Sequence, residues 1–282
     1  MELSYQLAKP RYALIEESKI ETNDGAVYLA QDLWLKRKVC VKLINIPGDS
    51  PAVRKINLQK AIKEVIIHSE ISLNSQHVPA IFDEIHTKDK LYIVMQWVEG
   101  ETLTKKMRNL KAPEMLYLME ELCGVLQLLE KRNLNHRDIK PDNIKIVTTA
   151  AGKMELILLD FGISLGLVSL GVGTKGYQAP ELLWKGNMKH DKLDIFAVGV
   201  MLYEFFAKKL PEPGIDYKTP ADRQKAWAAF TEPCILNDKI PPAVNQLIVR
   251  CMSYQPADRP KAKELEQMLR HIRKGRPYNY GI

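Results

Sequence analysis

Four polar side chains capable of chemistry fall within one stretch, Leu134–Gly162, which reads LNHRDIKPDNIKIVTTAAGKMELILLDFG. Asp138 can take up a proton, and Lys140 can neutralise phosphate oxygens. Asn143 and Asp160 both offer oxygen, the ligand type that a hard cation such as Mg²⁺ takes when it is shared with phosphates. The segment between them decides whether they meet. Ile144–Val147 and Met154–Leu159 are short apolar runs, and the intervening TTAAGK carries Gly152, so the pattern predicts a β-hairpin. An antiparallel hairpin closes its outer ends on each other. Asn143 and Asp160 then converge at its mouth, with Asp138 and Lys140 a few residues upstream. The chemistry that needs such a set is phosphoryl transfer.

The wider string His136-Arg137-Asp138-Ile139-Lys140-Pro141-Asp142-Asn143, then Asp160-Phe161-Gly162, then Ala179-Pro180-Glu181, resembles the signature set of the protein kinases. One triplet alone is a weak signal, whereas three in order with strand context are specific. The resemblance covers residues 10–272. It implies an α+β, bilobal protein-kinase fold. A small antiparallel β-sheet N-lobe with one helix would take residues 1–95, a hinge 96–100, and a larger, mainly helical C-lobe 101–282. ATP and Mg²⁺ would lie between the lobes. In that family Asp138 would orient the substrate hydroxyl and accept its proton, Lys140 would steady the γ-phosphoryl group, and Asn143 and Asp160 would be the metal ligands. Lys140, two residues after the base, is the feature of the Ser/Thr kinases.

Further nucleotide contacts are implied upstream. Val39–Ile44 (VCVKLI) reads as a strand whose alternation puts Cys40, Lys42 and Ile44 on one face. A lysine between apolar neighbours needs an anionic partner or a phosphate, and Lys42 stands where the family's VAIK lysine grips the α- and β-phosphates. A helix is predicted over 57–72, and it would carry the glutamate partner of Lys42. Glu64 and Glu70 both qualify. Glu64 is chosen because it shares a face with Ala61, His68 and Ile71. Leu91–Met95 runs into Gln96-Trp97-Val98-Glu99-Gly100, which resembles the hinge. The backbone at Gln96 and Val98 would hold the adenine edge, Met95 would guard the pocket behind it, and Cys40 joins the implied contacts.

The phosphate-covering loop departs from the family. Fitting GxGxxGxV to SKIETNDGAV keeps Gly25 and Val27, while Ile20 and Thr22 replace the earlier glycines and Asp24 adds a negative charge. Glycine serves there to let backbone N–H groups approach phosphate, so weaker ATP affinity or a different closure is expected. Lys145, two residues after Asn143, would cover the base with its methylene stem.

The second half is predicted to be helical. Pro113–Lys131 is amphipathic, and Asp194–Ala207 (DIFAVGVMLYEFFA) is apolar nearly all round, as a buried central helix must be. Asp194 would cap that helix or, as the resemblance implies, anchor the backbone around His136 and Arg137. Pro220–Phe230, Pro242–Met252 and Lys261–Lys274 read as surface-packed helices. Arg259 is implied to pair with Glu181. Gly173–Glu181 resembles the substrate-docking end of the activation segment, with Thr174 reaching Asp138 and Lys140; Ser164 and Ser169 are the candidates for a phosphate that Arg137 would read, with a plain loop serine the preferred reading of each.

Composition narrows the remaining classes. With 282 residues and 46% hydrophobic content, the chain can bury a large core. It contains no run of about 18 apolar residues and no signal-peptide core, so no membrane anchor and a cytoplasmic location are expected. Cys40, Cys123, Cys234 and Cys251 are scattered, which argues against a zinc site or disulfide framework; Cys40 and Cys123 read as small core residues. The densest basic cluster, Arg270–Arg276, reads as a solvated helix end in preference to a nucleic-acid or membrane contact. The leading expectation is an ATP- and Mg²⁺-dependent kinase acting on Ser/Thr hydroxyls of proteins. The alternatives are a pseudokinase scaffold, suggested by the altered loop, and a small-molecule phosphotransferase, opposed by Lys140 and Ala179–Glu181.

Overall fold

A run of strands with alternating burial builds the first part of the chain. The computed structural model describes residues 10–22, 24–160, 176–183, 192–212, 226–227 and 230–276. Contacts divide the chain into two units, one comprising the residues up to Asn74 with Pro79–Glu99, the other Ser75–Val78 with the residues from Gly100 onward. The first unit holds a six-stranded sheet of β1 (Tyr12–Leu14), β2 (Ile20–Thr22), β3 (Gly25–Asp32), β4 (Arg37–Asn45), β5 (Ile81–His86) and β6 (Lys90–Gln96). Its order is β1-β3-β4-β6-β5, with β2 also pairing β3, and every pairing is antiparallel. β1 and β2 are halves of one edge, broken by a 3-10 turn at Glu16–Ser18. Ser18 Oγ bridges the break by accepting the Leu29 N–H at 2.8 Å.

Strand alternation sorts β4 into two faces. Val39 and Val41 are buried with Ala30 and Val94, and Tyr12, Phe82 and Tyr92 pack against that cluster. Cys40, Lys42 and Ile44 point to the other face and are half-buried. Cys123 is fully buried as expected, but Cys40 is not a core residue, because it alternates away from the Val39–Val41 side. β3 and β4 pair along their whole length, and a Cβ on Gly25 would lie 2.1 Å from the Leu43 carbonyl oxygen. Only glycine lets the strands meet there.

The helix of this unit, α1 (Pro51–Ser72), starts six residues before its expected position. Ser50 caps it by accepting the Val53 N–H at 3.3 Å, and Pro51 sits in the first turn, where a missing N–H costs nothing. Ala61, Val65, His68 and Ile71 form its buried stripe. On that helix Glu64 is half-buried and Glu70 exposed.

In the second unit β7 (Glu101–Thr102), β8 (Ile144–Thr148) and β9 (Met154–Leu158) form a small sheet, and the predicted hairpin is β8–β9 with Ile144 opposite Leu158. After the short α2 (Leu103–Lys106), the amphipathic α3 (Ala112–Glu130) buries Leu116, Met119, Leu122 and Leu126. The apolar helix α4 (Leu193–Ala207) is buried from Leu193 to Phe206, with Glu204 the exception. Against it pack α5 (Pro233–Leu236) and α6 (Pro242–Cys251), and α7 (Ala262–Arg273) follows. The last helix packs on α3, where Arg270 and Arg273 pair with Glu120 at 2.7 and 2.9 Å, so two cations of the basic cluster are engaged within the unit. Most of the predicted helix over 220–230 lies outside the described residues.

Candidate active site

The second unit builds its site from the segment between α3 and β8. The His136 N–H donates to Asp194 Oδ2 at 2.7 Å and the Arg137 N–H to Asp194 Oδ1 at 2.8 Å. One carboxylate at the start of α4 therefore holds two consecutive peptide groups. Arg137 adopts a left-handed φ of 68°, a conformation that costs a non-glycine residue and is retained only where neighbours enforce it. Asp194 is buried, and that burial raises its pKa, while the two N–H donors and the Arg137 charge act in the opposite sense. Burial also lowers the pKa of His136, whose Nε2 lies 3.1 Å from the Leu159 carbonyl oxygen, so its imidazole is neutral at physiological pH.

With the backbone so held, Asp138, Lys140 and Asn143 come together. Asp138 Oδ2 lies 2.9 Å from Lys140 Nζ and accepts from Asn143 Nδ2 at 2.8 Å. The same Asn143 amide nitrogen donates to the Asp138 carbonyl, also at 2.8 Å. Asn143 is 7% exposed, and its amide nitrogen is used to position Asp138, which leaves the amide oxygen as the group it can offer a ligand. At the far end of the hairpin, Leu159 N–H donates to the Asn143 carbonyl at 2.7 Å. Asp160 follows directly, with φ of 52°. The hairpin thus does what its pattern predicts: its two ends, Asn143 and Asp160, are tied by a backbone hydrogen bond across one residue.

The donor set fits a hard cation only in part. Among the described residues no group of three His, Cys, Asp or Glu side chains could enclose a metal. An amide oxygen beside one carboxylate matches the habit of Mg²⁺, which takes one or two protein oxygens and completes its shell with water and phosphate.

The other predicted contacts lie in the first unit. Val27 stands opposite Lys42, and Ile93 faces Lys42 from the other side. Leu29, Cys40 and Met95 form a second cross-strand row. Directly opposed residues share a face, so Val27, Cys40, Lys42 and Met95 occupy one side of the sheet. Gln96 donates its N–H to the Ala80 carbonyl at 2.8 Å, and Val98 beyond it is buried. In the altered loop Ile20 opposes Val27 and Thr22 opposes Gly25. The hairpin therefore forms without the two glycines, and Asp24 ties its tip to β4 by accepting the Asn45 N–H at 2.7 Å.

Two supports of the downstream segment complete the picture. Arg259 and Glu181 form a buried, two-pronged ion pair in which Nη2 meets Oε2 at 2.8 Å, with Arg259 Nε donating to the Ser253 carbonyl at 2.8 Å. The pairing implied by the resemblance is present. A partner the sequence reading missed is Glu204, which accepts from the Tyr177 hydroxyl. Its signal was an acid set among the apolar residues of the second half of α4, which needs a polar partner when water is largely excluded from it. Asp142 similarly accepts from Thr104 Oγ1 at 2.6 Å. Phe161, Gly162, Ser164, Ser169 and Thr174 lie outside the described residues.

The chain is similar to known proteins over most of its length. The chain is 28% identical over 260 residues to the serine/threonine-protein kinase PrkC of Bacillus subtilis, covering 84% of this chain and 37% of that protein. It is 25% identical over 267 residues to mitogen-activated protein kinase kinase 2 of Arabidopsis thaliana, covering 86% and 68% respectively. It is 27% identical over 253 residues to the serine/threonine-protein kinase PknA of Nostoc sp., covering 83% and 42%. The chain thus spans roughly a third to two thirds of the length of these relatives. Residues 21–271 match the family model of the protein kinase domain, and the chain belongs to that family.

Proposed function

We propose that the protein transfers the γ-phosphoryl group of ATP to Ser or Thr hydroxyls of protein substrates. The observation that carries this reading is the Asp138–Lys140–Asn143 cluster, held by Asp194 and ending beside Asp160. Asp138 Oδ2 receives the hydrogen bond of the substrate hydroxyl and takes its proton as the oxygen attacks phosphorus. The bond from phosphorus to the β,γ-bridging oxygen breaks, and ADP leaves with that oxygen. Lys140, at 2.9 Å from Asp138, stays within reach of both the base and the transferred group and offsets the charge on the γ-oxygens. Asn143 Oδ1 and Asp160 would hold Mg²⁺, which when bound neutralises the β- and γ-phosphates. Lys42, supported by Glu64, would bind the α- and β-phosphates. Gly25, Val27, Cys40, Met95, Gln96 and Val98 would contact the rest of the nucleotide.

Lys140 and the Ala179–Glu181 segment favour a polypeptide over a small-molecule acceptor. Among the described residues no helix is long and apolar enough to cross a membrane. A reducing, cytoplasmic setting is the reading that the scattered cysteines, with no CxxC spacing among them, favour. Purified protein incubated with γ-³²P-ATP, Mg²⁺ and a basic protein substrate should label Ser or Thr. Labelling no greater than that of Asp138→Ala would leave the scaffold reading, and label found only on a sugar or antibiotic would establish the small-molecule one.

A further inference from the structure

We propose that a surface groove of the second unit docks a basic side chain of the protein substrate, arginine by preference, and so contributes to substrate choice. This rests on the protein-kinase reading above and adds a recognition site distinct from the reacting groups.

The groove has a volume of about 440 Å³ and is lined by Glu232, Asn245, Val249, Arg250, Ser253 and Asp258. Its charge is the argument. Arg250 is matched by Glu264 at 2.7 Å. Neither Glu232 nor Asp258 has a cationic partner within ion-pair distance among the described residues. Two carboxylates thus face one groove in a chain whose net charge is +7. Glu232 is also held in place. Its Oε2 accepts from Asn245 Nδ2 at 2.7 Å, and Asn245 Oδ1 accepts the Cys234 N–H at 3.0 Å. Asn245 is 7% exposed, so the carboxylate is fixed from behind by a buried amide. A pre-positioned carboxylate suits the planar guanidinium fork better than a mobile one. Beside it α5 leaves Ile235 and Leu236 exposed at 72% and 40%, an apolar neighbour for a residue adjoining the arginine.

The groove is tied to the catalytic loop through α4. Tyr203 donates its hydroxyl to the Thr231 carbonyl at 2.9 Å, and Asn237 Nδ2 donates to the Phe206 carbonyl at 3.2 Å. Asp194 at the opposite end holds His136 and Arg137. At ~1.5 Å per residue the helix separates these anchors by ~18 Å. An extended substrate spans that with no fewer than about six residues. Docking therefore raises the local concentration of the acceptor only when the arginine lies beyond that spacing.

The probe is a fluorescein-labelled peptide containing Arg-Arg-Leu-Leu, with citrulline in place of arginine as the neutral control, and binding to the full chain is read by anisotropy. The arginine peptide should bind more tightly than the control, and Glu232→Gln and Asp258→Asn should each weaken it by about fivefold. Asp258→Asn alters an exposed side chain, so its effect is not a folding defect. In transfer assays, the motif placed ten residues from the acceptor serine should lower the peptide KM, and placed three residues away it should not. Both variants should lose that gain while keeping their KM for ATP and their activity on motif-free peptide. Equal binding of the arginine and citrulline peptides, or unaltered binding in both variants, would overturn the docking proposal. Docking that persists in a protein with no transfer above Asp138→Ala would support the groove and sink the kinase reading instead.

Discussion

Replacing Asp194 by alanine tests how the catalytic loop is held. The substitution removes the acceptor of two N–H groups, His136 at 2.7 Å and Arg137 at 2.8 Å. His136 is fully buried, so its N–H gains no water in exchange. An unsatisfied buried donor costs ~1–3 kcal/mol, and the half-buried Arg137 N–H adds somewhat less, for a gross loss of about 2–5 kcal/mol. Part is returned, because a buried carboxylate that resists ionisation is also removed. A net loss of ~2–3 kcal/mol should lower Tm by roughly 5–10 °C in a chain of this size. The functional effect should be larger than the thermal one. Without its acceptor, Arg137 has no reason to keep φ at 68°, and Asp138 moves with it. A displacement of ~1 Å at a reacting group costs about 100-fold in rate. Asp194→Ala should therefore lose about two orders of magnitude in kcat while its KM for ATP changes little, measured below its own Tm. Asp194→Asn, which keeps one acceptor oxygen, should fall between. Wild-type kcat in a folded Asp194→Ala protein would refute the reasoning.

Other perturbations follow from the same geometry. Arg259→Leu leaves Glu181 as a buried charge without its partner and should cost ~3–5 kcal/mol, read by chemical denaturation; a loss below about 1 kcal/mol would mean the pair is wetter than its geometry. Lys42→Met should abolish transfer without shifting Tm, and a variant retaining most activity would show that the nucleotide is held elsewhere. The pH dependence should carry the mark of His136, whose pKa is lowered from 6.5 by burial. The unfolded chain then binds the proton first, so stability should fall as pH drops through 6.5 toward the lower folded value. Asp194, raised by burial, acts in the opposite sense, adding stability as pH falls through its folded value. Comparing unfolding free energies at pH 7.5 and 5.5 in wild type and His136→Asn should show a decline that the variant lacks, and equal slopes would exclude His136 as the source.

The parts of this architecture that could be read in the sequence are those with short-range causes. The β8–β9 hairpin follows from two apolar runs around a turn, and α4 from a helix-length run that is apolar nearly all round. The catalytic loop was legible because its residue types are few and closely spaced. Long-range partners were less so. Asp194 beneath the loop and Arg259 with Glu181 were reached through the family resemblance, since nothing local to Asp194 distinguishes a helix cap from a loop anchor. Glu204 with Tyr177 was not reached at all. Burial on β4 was misassigned at Cys40 because alternation tells which residues share a face, and only packing tells which face is inside. The start of α1 was placed six residues too late, although Ser50 and Pro51 together form a helix start.

The central claim is that Asn143 and Asp160 hold one cation shared with a nucleotide, beside the base Asp138. Its most direct test is γ-³²P transfer to a Ser/Thr protein substrate as Mg²⁺ is titrated, in wild type and Asp160→Asn. The account predicts wild-type transfer that vanishes with chelator and an Asp160→Asn rate at least about 100-fold lower at every Mg²⁺ concentration. Undiminished transfer by Asp160→Asn, or by wild type in the presence of chelator, would contradict it.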